Sequence, residues 1–394
     1  MKGLAKEQEV AVEWTPELVA WMRSQALEAG FDASAVAPVP EAGSTEQERE
    51  AFRFSSWVEA GRAGEMEYLK RRDEDGVLLR SSVQAAMPWA RSVIVCALNY
   101  NVPEPRSVDS APAQTGWIAR YAWSGRVLDD GKTVPTDYHD ELLGRLRKLE
   151  AALREQAPVE TRCYVDTGPL VERSAAALSG LGWIGKNTCV IHQQLGSWLL
   201  LGVIVTSIPV ASAAVPELAA DRCGSCTRCI DACPTQALVA PRQMDASRCI
   251  AYLTIEKKGS IAEELREPMG RQVFGCDICQ DVCPWNRRAP VAVKEGMEPR
   301  TELVNPALAW LAGLDAAAFK RSFKGSPVER TRRKRLHRNV AIAMGNSHDS
   351  DFLPQLETWA LSEDEVLAES ARWAIRQISE SKLELCKSGE PSNQ

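Results

Sequence analysis

Cys223-Gly224-Ser225-Cys226-Thr227-Arg228-Cys229-Ile230-Asp231-Ala232-Cys233-Pro234 and, further on, Cys276-Asp277-Ile278-Cys279-Gln280-Asp281-Val282-Cys283-Pro284 are the stretches on which the reading turns. The first is Cys-x2-Cys-x2-Cys-x3-Cys-Pro. The second, preceded by a solitary Cys249, is Cys-x2-Cys-x3-Cys-Pro. This is the spacing of paired [4Fe–4S] clusters, in which the last cysteine of each run serves the other cluster. Three thiolates in one tight loop cover three corners of a cubane, so the fourth corner must be reached from elsewhere. Cys223, Cys226, Cys229 and Cys283 are therefore assigned to one cluster. Cys233, Cys249, Cys276 and Cys279 are assigned to the other. Structural zinc also uses Cys-x2-Cys pairs, but a zinc knuckle has no need of two Cys-x3-Cys-Pro endings. With all eight thiolates consumed, no iron corner stays open. The clusters then carry electrons, and another group must transform the substrate.

The rest of the chain fits this frame. Twelve cysteines occur in 394 residues, and eight of them fall in this one block. In a reducing compartment such clustering indicates metal rather than disulfides. Cys96, Cys163, Cys189 and Cys386 stand alone and read as small buried hydrophobes or incidental surface residues. Apolar content is 45% and charged content 25%, which excludes wholesale disorder. The longest apolar stretch, Trp198 to Val205, is too short to span a bilayer. Met1 to Glu7 shows no apolar signal region. A cytoplasmic protein without membrane contact is expected. The length suggests two to three domains.

The chain opens with a loose tail over residues 1–13. Thr15-Pro16-Glu17 then reads as a helix start and Gly30 as its stop. Ser92 to Leu98 has the β-branching of a buried strand. Residues 137–157 carry leucines on one helical side. Further strands are expected at Tyr164-Val165, 187–192 and 198–205, and a helix at 170–179. Alternating strands and helices up to about residue 210 suggest an α/β layered domain. Helices are expected at 305–320, 330–345, 351–361 and 364–380, spaced like a short helical-repeat stack. The expected class is multidomain α+β, with units 1–212, 213–292 and 293–394.

Gly180-Leu181-Gly182-Trp183-Ile184-Gly185 matches the dinucleotide fingerprint G-x-G-x-x-G, but in the wrong context. That motif follows a strand and opens a helix. Here an Ala-rich helix precedes it, so Gly180 reads as a helix stop. Asp166 has two readings: a cap for the helix that follows, or a general acid in an apolar pocket. Between Lys320 and Arg338, nine Lys/Arg face one acid, Glu329. That block carries +8 in a chain of net charge −6, leaving −14 elsewhere. Clustered arginine on helices suits phosphate contacts.

Taken together the motifs resemble epoxyqueuosine reductases. The segments that carry the likeness are Gly64-Glu65-Met66-Glu67-Tyr68, Asp137-Tyr138-His139, Val165-Asp166-Thr167-Gly168-Pro169, Gly182-Trp183-Ile184-Gly185-Lys186-Asn187-Thr188, Gly196-Ser197-Trp198, the eight cysteines, Thr254-Ile255-Glu256-Lys257-Lys258-Gly259 and Gly275 to Asn286. The likeness runs from about residue 15 to 380. It implies a cobalamin-binding α/β domain like that of reductive dehalogenases, a ferredoxin-like domain with two [4Fe–4S] clusters, and HEAT-like helices. It implies reduction of the epoxide of epoxyqueuosine at the wobble position of tRNA with a GUN anticodon, the last step of queuosine synthesis. An external electron donor would feed the clusters, and a monomer is expected. Asp166 matches the family's proton donor. Cobalamin contacts would fall on Arg80, Ala119, Asp166, Val190, Leu201, Ala251, Asp277 and Ile278. With only four histidines in the chain, a base-off cobalamin fits. The tRNA-facing set would be Lys258, Arg330, Arg332, Arg333, Lys334, Arg335 and Arg338. Residues 101–116 and 126–136 look like insertions, and the second interrupts the segment around Tyr121 and Asp137. The alternative is another corrinoid and iron–sulfur reductase acting on a small molecule.

Overall fold

In the computed structural model, residues 12–388 are described. Most of the expected tail, residues 1–11, and the side chain of Cys386 lie outside them. A four-stranded sheet orders the first half of the chain. Its strands run Ala33–Pro38, Ser92–Asn99, Leu199–Thr206 and Thr161–Tyr164 across the sheet, every neighbour antiparallel. The layering is as expected, but no parallel crossover is present in this sheet.

Every residue of Ser92–Asn99 is buried, because both faces of the sheet are covered. Ile94, Cys96, Leu98, Leu200 and Ile204 point one way, against Leu142, Leu146, Leu149 and Leu153 of the Tyr138–Gln156 helix. Val93, Val95, Ala97, Val203 and Val205 point the other way, toward Ala175 and Ala176 of the Glu172–Leu178 helix. The two-residue period of a strand produces this division. Each fully buried leucine contributes roughly 2 kcal/mol to the layer.

The local signals act as expected. The Thr15 hydroxyl accepts from Leu18 N, Pro16 opens the Pro16–Glu28 helix, and Gly30 follows with φ +92°. The Ala-rich helix stops at Gly180 (φ +72°), and the strand Trp183–Ile184 comes after it, so the fingerprint-like glycines cradle no dinucleotide. Only two residues of the expected strand at 187–192, Val190–Ile191, are extended in a ladder.

The largest core joins segments distant in sequence. Ile118, Ala122 and Trp123 pack with Ile250, Leu253, Val273 and Phe274 and with Leu336, Val340 and Trp373. The strand Trp117–Ile118 pairs in parallel with Gln272–Phe274. The cysteine-bearing segment is thus tied to both the first unit and the last. The final helices run Leu308–Ala312, Ala316–Phe323, Arg332–Ser347, Leu353–Ala360 and Glu365–Ser388. The expected helix at 305–320 is broken at Gly313, and Asp315 caps the second piece by accepting from Ala318 N. Gly345 lets two helices touch: a Cβ there would lie 2.9 Å from the Ala374 backbone.

Both suspected insertions are ordered. Residues 126–136 make a hairpin of Ser124–Val127 with Thr133–Pro135, extended by Glu298–Pro299. It loops out without separating its flanks, since the Tyr121 and Tyr138 rings meet edge-on at 5.6 Å. The loop at 101–116 is pinned by Arg120, whose guanidinium donates to the Glu104 carbonyl at 3.1 Å, and by Asp281, which accepts from Ser107 N and Oγ. Among the described residues no helix is long and apolar enough to cross a membrane.

Candidate functional site

Several thiols of the cysteine block influence one another. Burial pushes Cys229 up to about 11, with the charges of Cys283 and Cys223 adding to it. Burial raises Cys276 well above the usual thiol range, helped by Cys249 and Cys233. Burial likewise raises Cys249, and Cys233 adds. Cys283 thus lies near Cys229 and Cys223, and Cys233 near Cys249 and Cys276. Thiols held this high stay protonated unless a cation takes their charge, which suits a metal site. Among the described residues no three His, Cys, Asp or Glu side chains close on a point for one ion. Cys189, read as isolated, instead lies near Cys279, whose thiol lowers that of Cys189.

Asp166 does not cap a helix. The next helix starts at Glu172, and no side chain caps it. Asp166 stands in a left-handed backbone with φ +57°, a conformation that costs a non-glycine residue of order 1 kcal/mol or more and gathers at functional sites. Its side chain is half exposed. Tyr138 donates to Asp166 Oδ2 at 2.5 Å, and His139 Nε2 stands 3.7 Å from the same oxygen. Asp137 fixes His139 through Nδ1 at 2.6 Å while also capping the Tyr138–Gln156 helix. Behind the loop, Glu172 accepts from Asp166 N at 2.7 Å. Burial, and then the Asp166 charge, hold the Glu172 carboxyl well above its usual range. Arg80 donates to the Asp166 carbonyl at 3.2 Å and lies over the Tyr68 ring.

Of the other positions named for cobalamin, Ala251, Asp277 and Ile278 lie within two residues of Cys249 or Cys276, Ala119 packs against Gly275, and Val190 and Leu201 lie elsewhere. Ala119 N donates to Phe274 O at 2.7 Å, and Gly275 approaches so closely that a Cβ there would lie 2.5 Å from the Ala119 Cβ. Asp277 accepts from Arg120 N at 2.6 Å, and burial, with Asp281 adding, pushes its carboxyl up to about 7. Ala251 follows Cys249 on the Ile250–Ile255 helix, and Ile278 follows Cys276. Val190 and Leu201 share one apolar cluster with Tyr164 and Leu170, the residues flanking the Asp166 loop. Ala119, Val190 and Asp277 are buried, so a large group meeting them would touch backbone more than side chain.

The basic segment borders the same site. A cavity of about 750 Å³ is lined by Asp137 on one side and Lys320, Arg330, Arg332 and Arg333 on the other. Arg332 is itself held at φ +56°. Lys258, Arg330, Arg332 and Lys334 are exposed. Arg335 is half-buried, with Nε donating to Thr331 O and one terminal nitrogen to Arg330 O. Arg338 departs from the expectation. It is 1% exposed and donates to Leu253 O, Lys257 O, Gly259 O and Asn339 Oδ1. A guanidinium buried among carbonyls cannot reach a phosphate. Its role is to fold the 253–259 loop that carries Lys258.

Two family models match. One, described as a 4Fe-4S double cluster binding domain, covers residues 222–286. The other, described as epoxyqueuosine reductase QueG, DUF1730, covers residues 80–167. The epoxyqueuosine reductase of Xanthomonas campestris is 36% identical over 92% of this chain and 96% of its own. That of Synechocystis is 40% identical over 77% of this chain and 98% of its own. The chain belongs to the epoxyqueuosine reductase family. It is an oxidoreductase. Solved epoxyqueuosine reductases share its fold: a selenomethionine-labelled one has a TM-score of 0.79 at 27% identity, covering 95% of this chain and 96% of that one. Another, solved with an epoxyqueuosine-modified tRNA-Tyr stem loop, has a TM-score of 0.77 at 28% identity, covering 96% and 95%. The family motif around residue 138 was visible in the sequence. The partnership of Tyr138, His139 and Glu172 with Asp166 was not, because it spans three separate segments.

Proposed function

We propose that this protein reduces the epoxide of epoxyqueuosine at the wobble position of GUN-anticodon tRNA, giving queuosine, with a cobalamin and two [4Fe–4S] clusters. The observation that carries the reading is the strained, half-exposed Asp166 beside a cleft walled by the basic segment. The family relationship supports it, as does the relative solved with an epoxyqueuosine-modified tRNA stem loop.

Removing the epoxide oxygen as water takes two electrons and two protons. A bound cobalamin would supply a strongly reducing cobalt centre for the electrons. Arg80, Ala119, Val190, Leu201, Ala251, Asp277 and Ile278 would hold it beside the second cysteine group. The two clusters would be held by Cys223, Cys226, Cys229 and Cys283, and by Cys233, Cys249, Cys276 and Cys279. An alkoxide is a poor leaving group, and a carboxylic acid beside the oxygen removes that cost. Asp166 offers Oδ1 for that proton while Oδ2 accepts from Tyr138. His139, oriented through Nδ1 by Asp137, holds Nε2 where it can return a proton to Asp166. Lys258, Arg330, Arg332, Arg333 and Lys334 would grip tRNA phosphates, and the HEAT-like helices would present the anticodon to the cleft.

The test is nucleoside analysis of epoxyqueuosine tRNA after incubation with reconstituted protein and a low-potential reductant. Wild type should form queuosine. Asp166→Asn should bind corrinoid and iron normally and lose roughly 10²–10⁴ in rate. Unchanged tRNA with the loaded wild type would overturn the proposal.

A further inference from the structure

We infer that an arginine-rimmed recess beside the first cysteine group is the landing site of an acidic one-electron carrier protein. The inference rests on the proposed function, in which the clusters need electrons from outside. The recess has a volume of about 480 Å³. It is lined by Arg106 and Val108 of the 101–116 loop, by Arg228, Asp231 and Ala232, and by Asp281 and Arg287. Arg228 precedes Cys229, Ala232 precedes Cys233, and Val282, also in the lining, precedes Cys283. A partner seated there would stand within a few residues of cluster ligands.

The two cysteine groups differ in how they meet the surface. In the second, Gly275 and Asp277 on either side of Cys276 are buried, and Ala119 packs against Gly275. Around the first, Asp221, Arg222, Gly224, Ser225, Thr227 and Arg228 are all exposed. Electrons from a protein donor therefore enter through the first group. Each encounter oxidises the carrier by one electron and reduces one cluster by one electron, with no bond made or broken.

The charge of the rim selects the partner. Arg106 is paired with Asp109 at 2.6 Å. Among the described residues, no carboxylate oxygen lies within 4 Å of Arg222, Arg228, Arg287 or Arg288. The two lining carboxylates, Asp231 and Asp281, keep their charge but are outnumbered by the exposed, unpaired Arg222, Arg228, Arg287 and Arg288 in and next to the lining. Asp231 accepts from the Thr227 hydroxyl at 2.7 Å, and Asp281 accepts from Ser107. Unpaired guanidinium groups around a recess, in a chain of net charge −6, attract an acidic face and orient it on approach. The 101–116 loop supplies one wall and is fastened by Ser107 to Asp281, so the recess is a built feature.

The experiment uses the reconstituted full chain and a plant-type [2Fe–2S] ferredoxin as probe. Affinity is measured calorimetrically at low and high salt, and cluster reduction by stopped-flow. The triple variant Arg106→Glu/Arg228→Glu/Arg287→Glu should weaken ferredoxin binding at least tenfold at low salt, with the difference collapsing at high salt. Reduction by ferredoxin should slow in parallel. Dithionite-driven conversion of epoxyqueuosine tRNA and affinity for the tRNA stem loop should stay as in wild type. The single variant Arg287→Glu, at an exposed position, gives the same direction if the triple variant does not fold. Unchanged ferredoxin affinity overturns the inference. A loss of tRNA affinity also overturns it and assigns the rim to RNA. Wild type that binds ferredoxin but fails with dithionite refutes the proposed function and leaves the docking result standing.

Discussion

Arg338→Met separates two roles that one charge can play. As a phosphate contact, Arg338 would add to tRNA affinity and little to stability. The structure gives it the opposite role. Its guanidinium satisfies the buried carbonyl of Leu253 at 2.6 Å, those of Lys257 and Gly259 at 2.8 and 2.7 Å, and Asn339 Oδ1. Burial pulls its pKa down to about 10, so it remains charged at neutral pH. Removing it leaves the Leu253 carbonyl unpaired, at a cost of about 2 kcal/mol, and two half-buried carbonyls unpaired at about 1 kcal/mol each. The sum is about 4 kcal/mol, near the top of what single substitutions do. Methionine keeps the packing of the stem, so the loss reports the hydrogen bonds. Hydrogen–deuterium exchange should show the 250–275 and 332–347 amides exchanging roughly 10³-fold faster, one decade for each 1.4 kcal/mol. The salt dependence of tRNA binding should keep its slope, whereas Lys258→Ala or Arg333→Ala should each lower it by about one counterion. A variant with wild-type exchange and a reduced slope would refute this reasoning.

Crossed ligation makes Cys283→Ser perturb the electron paramagnetic resonance signal of the cluster held by the first run, and Cys233→Ser that of the second. Each variant disturbing the cluster of its own run instead would break the assignment. Glu172, raised above its ordinary value of 4.5 by burial and then by Asp166, keeps a proton in the folded state that the unfolded chain releases. Stability should fall as pH rises above about 4.5, and Glu172→Gln should flatten that decline; equally steep melting series for both proteins would count against it. His337 has the opposite sign: burial, with Arg333 adding, holds it down to about 4 against an ordinary 6.5. Stability should fall as pH drops through that window, and His337→Phe, which keeps the stack on Trp359, should lose less there. Identical acid melts would refute this.

Local signals carried much of the fold. Thr15-Pro16 can only open a helix cheaply, and the leucine spacing after Asp137 can only bury one side. Pairing was not legible. Thr161–Tyr164 joins the sheet beside Leu199–Thr206, and the antiparallel order follows from packing between residues far apart. The cysteine spacing specified its chemistry because a cubane constrains ligands within one short loop. Asp166 was ambiguous for the opposite reason. Val165-Asp166-Thr167-Gly168-Pro169 supplies a perfectly good cap, and it takes Glu172, Arg80 and Tyr138, from three other places in the chain, to hold Asp166 where it stands. Arg338 and Arg333 look alike in a row of bases, since sequence shows charge and not burial.

That last distinction changes how the +8 block should be understood. Arg338 is consumed by backbone carbonyls, and Arg335 donates to Thr331 and Arg330. Of the charge left facing outward, Lys320, Arg330, Arg332 and Arg333 line the cavity that Asp137 also lines. A chain that is acidic elsewhere repels a polyanion from most of its surface and admits it where this positive strip lies. The residue that positions His139 lines the same cavity. In the proposed function, a phosphate backbone drawn to this strip would arrive beside Asp166. The buried arginine serves this indirectly, by holding the loop on which Lys258 stands.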